Sequence, residues 1–103
     1  MYPEITTEEL QERLENGEKL NLVDVREQDE WEAGHIGEAR LIPLSEIQER
    51  ADEFSRDGEQ VYIICRSGGR SGKACEFLQA GGLSVVNVKG GMLAWQGDVV
   101  QGA

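Results

Sequence analysis

Seven consecutive positions, Cys65-Arg66-Ser67-Gly68-Gly69-Arg70-Ser71, hold a thiol, two guanidinium groups, two hydroxyls and two glycines. That combination suits nucleophilic chemistry on a small anion. A free thiol ionises near pH ~8.5, and a helix N-terminus with neighbouring cations lowers this to roughly 3.5–7.5. Gly68 and Gly69 can take positive φ and bring the backbone close to a bound atom. Successive N–H groups turned toward one point then form an anion-binding nest. Cys65 is therefore the expected nucleophile, ionised at neutral pH and able to hold a charged adduct. Arg66, Ser67, Gly68, Gly69, Arg70 and Ser71 are the expected substrate-binding set. A buried cysteine kept only for packing would not require glycines, cations and a helix start in this order.

Such a loop needs elements that aim it. Val61-Tyr62-Ile63-Ile64 reads as a buried strand running straight into Cys65, and a helix is expected to begin around Ser67 to Ser71. Sites in open α/β sheets form at the carboxyl ends of strands. The helix dipole adds about half a positive charge at the same place. This helix shows Ala74, Cys75, Phe77 and Leu78 on its inner face and ends at Gly81-Gly82.

The rest of the chain alternates short apolar runs with helical patterns, as in an α/β domain with a mainly parallel sheet. Thr6 to Glu15 reads as a helix, with Thr6 and Glu9 as a capping box and Leu10 and Leu14 one turn apart. Leu20 to Val25 is a strand, and Glu27 to Ala33 a short helix stopped near Gly34. Ala39 to Ile42 is a short strand ended by Pro43. From Ser45 a helix is expected, with Leu44, Ile47, Ala51 and Phe54 on one face and Ser45 and Gln48 capping its start. Val85 to Val88 is a last strand, and Met92 to Trp95 a final short helix after Gly90-Gly91.

A chain of 103 residues is expected to form one domain. Its net charge of −10 argues against nucleic acid and anionic membranes as partners. Residues 65–73 nevertheless carry Arg66, Arg70 and Lys73 and no acid, a cationic island suited to a small anion. Two cysteines and one histidine cannot supply an ordinary four-ligand zinc site, so neither metal nor other cofactor is expected. They are also too few for a disulfide framework. No apolar stretch approaches the ~20 residues of a membrane span. Met1-Tyr2-Pro3-Glu4 lacks the basic and apolar regions of a secretory signal, which points to a cytoplasmic protein.

The loop resembles the active-site loop of rhodanese-family sulfurtransferases, and the resemblance extends over nearly the whole chain. Leu22-Val23-Asp24-Val25-Arg26-Glu27 is similar to the family's first signature and Glu32-Ala33-Gly34-His35-Ile36 to its second. Gly90-Gly91-Met92-Leu93-Ala94-Trp95 is similar to its C-terminal segment. The resemblance implies a three-layer α/β/α domain with a five-stranded parallel sheet of order 3-2-4-5-1. It implies that Cys65 cycles between thiolate and persulfide. Sulfur would come from a small anionic donor such as thiosulfate and pass to cyanide or a thiol, including a protein thiol. The chain itself is expected to act as a monomer. Related phosphatases place one more residue between cysteine and arginine than the four between Cys65 and Arg70, so phosphate and arsenate chemistry are disfavoured. Where the family has His-Ile-Pro-Gly-Ala, this chain has His35-Ile36-Gly37-Glu38-Ala39.

Other reactive residues are expected to be structural. Asp24 is expected to fix a loop, by accepting backbone N–H bonds or pairing with Arg26. His35, the only histidine, matches a structural turn, and a preformed thiolate needs no general base. Cys75 falls on an apolar helix face about two turns from the nest and should behave as a small hydrophobe. Trp31 and Trp95 are expected to pack or to rim the pocket, and Ser71 to help hold the transferred sulfur. The rival class is a binding or relay module whose persulfide moves only between partners. Such a silent module would be expected to lose the cysteine or the loop cations, and both are kept here.

Overall fold

The computed structural model describes residues 1–55 and 57–103. Among these residues five parallel strands form one sheet: β1 (Glu4–Thr6), β2 (Asn21–Asp24), β3 (Arg40–Leu41), β4 (Val61–Ile64) and β5 (Val85–Lys89). The spatial order β1-β5-β4-β2-β3 is the expected order read from the other edge. The central strands β2 and β4 are buried along their whole length. Strand β4 reads as a nearly unbroken apolar run for that reason, whereas β2 carries the buried polar residues Asn21 and Asp24 at its ends.

Successive strand residues face opposite layers, and the core divides accordingly. Val23, Val25, Val61, Ile63 and Val85 point to one side. There they meet Ala74, Cys75 and Leu78 of α4 (Gly69–Ala80) and Ile47 of α3 (Ile47–Arg50), with Phe54. Phe54 is fully buried, so its truncation to alanine would cost about 3–5 kcal/mol. Leu22, Tyr62, Ile64, Val86 and Val88 point to the other side, against Leu10 and Leu14 of α1 (Thr7–Glu15) and against Ile36. Thr6 and Glu9 form the expected capping box of α1. Glu27 and Glu30 form a second, at the start of α2 (Gln28–Ala33).

Four local readings are corrected. Strand β1 carried no periodic signal, because three residues starting after Pro3 are too few to show alternation. The helix expected from Ser45 is broken into 3-10 turns at Leu44–Glu46 and Ala51–Glu53 around the single α turn of α3. Ser45 does not cap it; the hydroxyl donates to the Glu27 carboxylate at 3.1 Å. Phe77 lies outside the core, 43% exposed, at the margin of the α4 inner face. The turn lacking the family's proline still closes tightly, with the Ala39 N–H on the Ile36 carbonyl at 3.0 Å.

Candidate active site

Strand β4 delivers Cys65. Val61, Ile63 and Cys65 share one face of the sheet, so the pleat turns the thiol under the start of α4, where Cys65 is 1% exposed. The chain then reverses direction through Gly68, the N-cap residue of α4, at φ 107°. A side chain is strained in that conformation, although space is not the obstacle: a Cβ there would meet the Gly90 nitrogen at 3.6 Å, an ordinary van der Waals contact. Gly69 differs: it opens the helix, and a Cβ on it would meet nothing within 4 Å. Only one of the two loop glycines is therefore demanded by the backbone.

The Cys65 Sγ accepts the Gly68 N–H at 3.1 Å and the Ser71 hydroxyl at 3.2 Å. Burial opposes ionisation of this thiol. The Ser71 hydroxyl and the backbone N–H groups of Ser71, Gly68 and Ser67 outweigh it and hold the pKa below the ordinary thiol value. The largest part of the depression comes from aimed hydrogen-bond donors, and the Arg70 guanidinium also interacts with the charge on Cys65. Such a pocket can keep a thiolate ionised and can stabilise negative charge on an atom bonded to it.

The two loop arginines are in different states. Arg66 is exposed, and its guanidinium has no hydrogen-bond or ion-pair partner among the described residues. Arg70 is held in a fork by Glu30 of α2, Nη1 to Oε1 at 2.7 Å and Nη2 to Oε2 at 2.8 Å. The Arg70 hydrogen bonds, against partial burial, hold the Glu30 carboxyl down at about 2. Nothing in the local spacing pointed to Glu30, which lies forty positions upstream of its partner.

The other expected residues lie as follows. The buried Asp24 carboxylate accepts the Arg26 N–H at 2.9 Å and the Arg26 guanidinium at 2.8–3.1 Å, while the same guanidinium holds the Gly34 carbonyl at 2.8 Å. His35 stacks on Trp31, with ring centroids 3.5 Å apart. Its Nδ1 pairs with the Trp31 carbonyl at 2.7 Å, and its backbone bridges Val100. Its bonds among the described residues thus tie a turn and not the loop. Cys75 is fully buried, and burial first, then the charges of Glu4, Cys65 and Glu76, push its thiol up to about 12. Ser67 is exposed at the loop surface, and Trp95 packs beside the second core with its indole N–H on the Asp98 carbonyl. Exposed Lys73 stands a turn further along α4. Among the described residues no helix is long and apolar enough to cross a membrane.

Fold and site together define a three-layer α/β domain that presents a cysteine in a strand-to-helix nest. A family model described as the rhodanese-like domain matches residues 6–98, and the chain belongs to that family. It is 44% identical over 95 residues to YtwF of Bacillus subtilis (strain 168), covering 92% of this chain and 91% of that protein. It is 41% identical over 96 residues to a sulfurtransferase of Allochromatium vinosum, covering 92% of this chain and 89% of the relative. The crystal structure of a rhodanese-like domain protein from Staphylococcus aureus superposes with a TM-score of 0.88 at 40% identity, covering 98% and 99% of the two chains.

Proposed function

We propose that this protein is a sulfurtransferase that carries sulfane sulfur as a persulfide on Cys65. It takes sulfur from thiosulfate or a related donor and passes it to cyanide or a thiol. The observation that carries the reading is the Cys65 Sγ at the carboxyl end of β4, with the Gly68 N–H and Ser71 hydroxyl aimed at it. The thiolate attacks the outer sulfur of thiosulfate, the S–S bond of the donor breaks, and sulfite leaves with the electron pair. The terminal sulfur of the persulfide keeps a negative charge, which the N–H groups of the loop and the Ser71 hydroxyl offset. An acceptor thiolate or cyanide then attacks that sulfur and restores the Cys65 thiolate. Arg66 supplies the cation nearest solvent. The Arg70 guanidinium, engaged by Glu30, fixes the helix start against α2.

Family membership and a sulfurtransferase of similar length among the relatives support this reading. The short loop of four residues between Cys65 and Arg70 supports it against phosphate transfer. The test is intact mass after incubation with thiosulfate. One sulfur should be gained, and cyanide should remove it with release of thiocyanate. Cys65→Ser should lose the adduct and the turnover, whereas Cys75→Ser keeps both. An adduct that persists in folded Cys65→Ser would sink the assignment.

A further inference from the structure

Arg66 and Arg70 belong to one loop, but only one of them has its charge uncommitted. Both Nη atoms of Arg70 are taken by the two carboxylate oxygens of Glu30. The Cys65 thiolate, Arg66, Arg70 and Glu30 together sum to a formal charge of zero, and Glu27 adds a further negative charge that acts on Arg70. A dianionic donor entering this cluster loses hydration without meeting a net positive charge, while a monoanion loses far less. From this we infer that Glu30 is a specificity-determining residue for donor charge. By neutralising Arg70 it makes the site favour singly charged sulfane-sulfur donors, with the charge form R–SO2–S⁻ or R–S–S⁻, over dianions such as thiosulfate.

The inference rests on Cys65 as the sulfur acceptor and deepens that reading. Glu30 acts through Arg70 and touches no reacting atom. The transfer itself is unchanged: the Cys65 thiolate attacks the outer sulfur of a thiosulfonate, the donor S–S bond breaks, and the sulfinate leaves with the electron pair. The protein retains a persulfide anion, so charge balances on both sides.

Thiosulfate and methanethiosulfonate are the probes, because they present the same outer sulfur at different charge. Glu30→Gln leaves the Arg70 charge uncompensated. It should lower the KM for thiosulfate roughly three- to tenfold, given Coulomb attraction at close range and screening at ordinary ionic strength. Coulomb energy is linear in donor charge, so the KM for methanethiosulfonate should shift about half as far on a logarithmic scale. Glu30→Asp, which keeps the carboxylate, should keep the wild-type donor preference, and Glu30→Gln/Arg70→Gln should lose the gain. An equal shift for both donors, no shift for either, or a gain that survives removal of Arg70 overturns the inference. If both donors load Cys65 by mass but charge dependence is absent, this inference alone fails. If neither donor leaves a sulfur on Cys65, the sulfurtransferase reading fails with it.

Discussion

The backbone N–H of Met92 donates to the carbonyl oxygen of Cys65 at 2.8 Å, and the next one, of Leu93, donates to the Arg66 carbonyl at 2.9 Å. Both donors belong to α5 (Gly91–Ala94), which sits beside the loop. A trans peptide places its N–H opposite its C=O. Holding the Arg66 carbonyl toward α5 therefore turns the Ser67 N–H the other way, and that N–H is one of those that stabilise the Cys65 thiolate. The nest is shaped from outside as well as by its own glycine.

Gly91 makes this approach possible. It lies at φ 57°, and a Cβ on it would collide with the Cys65 carbonyl and stand 2.6 Å from the Arg66 oxygen. Gly91→Ala should push α5 off the loop, lower stability by roughly 1–3 kcal/mol, and slow alkylation of Cys65 at pH 7. The pH profile of alkylation should move upward, because the donors no longer converge. An unchanged profile in a destabilised variant would limit Gly91 to packing.

The two cysteines should separate cleanly under iodoacetamide. Cys65 lies below the ordinary thiol pKa through its hydrogen bonds, and Cys75 is pushed up to about 12, chiefly by burial. Native protein should label once, at Cys65, with an alkylation midpoint below that of a free thiol. Ser71→Ala removes the largest of the stabilising bonds, so the midpoint should rise and kcat/KM should fall roughly tenfold, as for a hydrogen bond to a charged group. Labelling of Cys75 at a comparable rate would contradict its burial.

Much of this site was legible because it is contiguous. Strand, cysteine, glycine turn and helix start follow one another between Val61 and Ala80, and each carries a local signal. The apolar run of β4 and the Thr6–Glu9 box were legible for the same reason. What escaped is held through space. Glu30 reaches Arg70 across forty positions, and α5 reaches Cys65 from the far end of the chain. The loop arginines look equivalent in sequence and differ only because one of them has a fork partner. Ser45 illustrates the reverse: its spacing to Gln48 fits a cap, but a nearby Glu27 carboxylate takes the hydroxyl.

Asp24 and Arg26 form an ion pair with side chains 1% and 8% exposed. Asp24→Ala would strand a buried guanidinium, at a cost of about 3–5 kcal/mol. The urea midpoint should fall with little change in slope, because the loss is in stability and not in the surface exposed on unfolding. A loss below about 1 kcal/mol, the usual value of an exposed pair, would mean that Arg26 finds other partners.

Acid should release the Glu30 clasp. The Glu30 pKa is depressed from 4.5 to about 2, so its contribution is fully present above 4.5 and is lost as pH falls toward 2. Thermal unfolding of wild type and Glu30→Gln should differ most near neutrality, and the two curves should converge between pH 4.5 and 2. A gap that is constant across this range would show that the carboxylate charge contributes nothing to the fold.

The last prediction sets local charge against net charge. A protein at −10 repels an anionic donor at long range, but that repulsion is screened over about 8–10 Å at ordinary ionic strength. Within the site, a guanidinium about 4 Å from the donor is worth on the order of 1–4 kcal/mol, depending on the effective dielectric. Arg66 is the loop cation without a carboxylate partner among the described residues, so the near field falls chiefly to it. Arg66→Ala should lower kcat/KM for thiosulfate roughly tenfold or more, at about 1.4 kcal/mol per decade. Exposed Lys73 is a turn further along α4 and solvated, and Lys73→Ala should change kcat/KM less than threefold, as expected for a screened charge. Raising the salt should weaken the Arg66 effect less than the Lys73 effect, since a close contact is screened least. If Lys73→Ala proves the more damaging of the two, the donor binds along the outer face of α4 and not over the Cys65 nest.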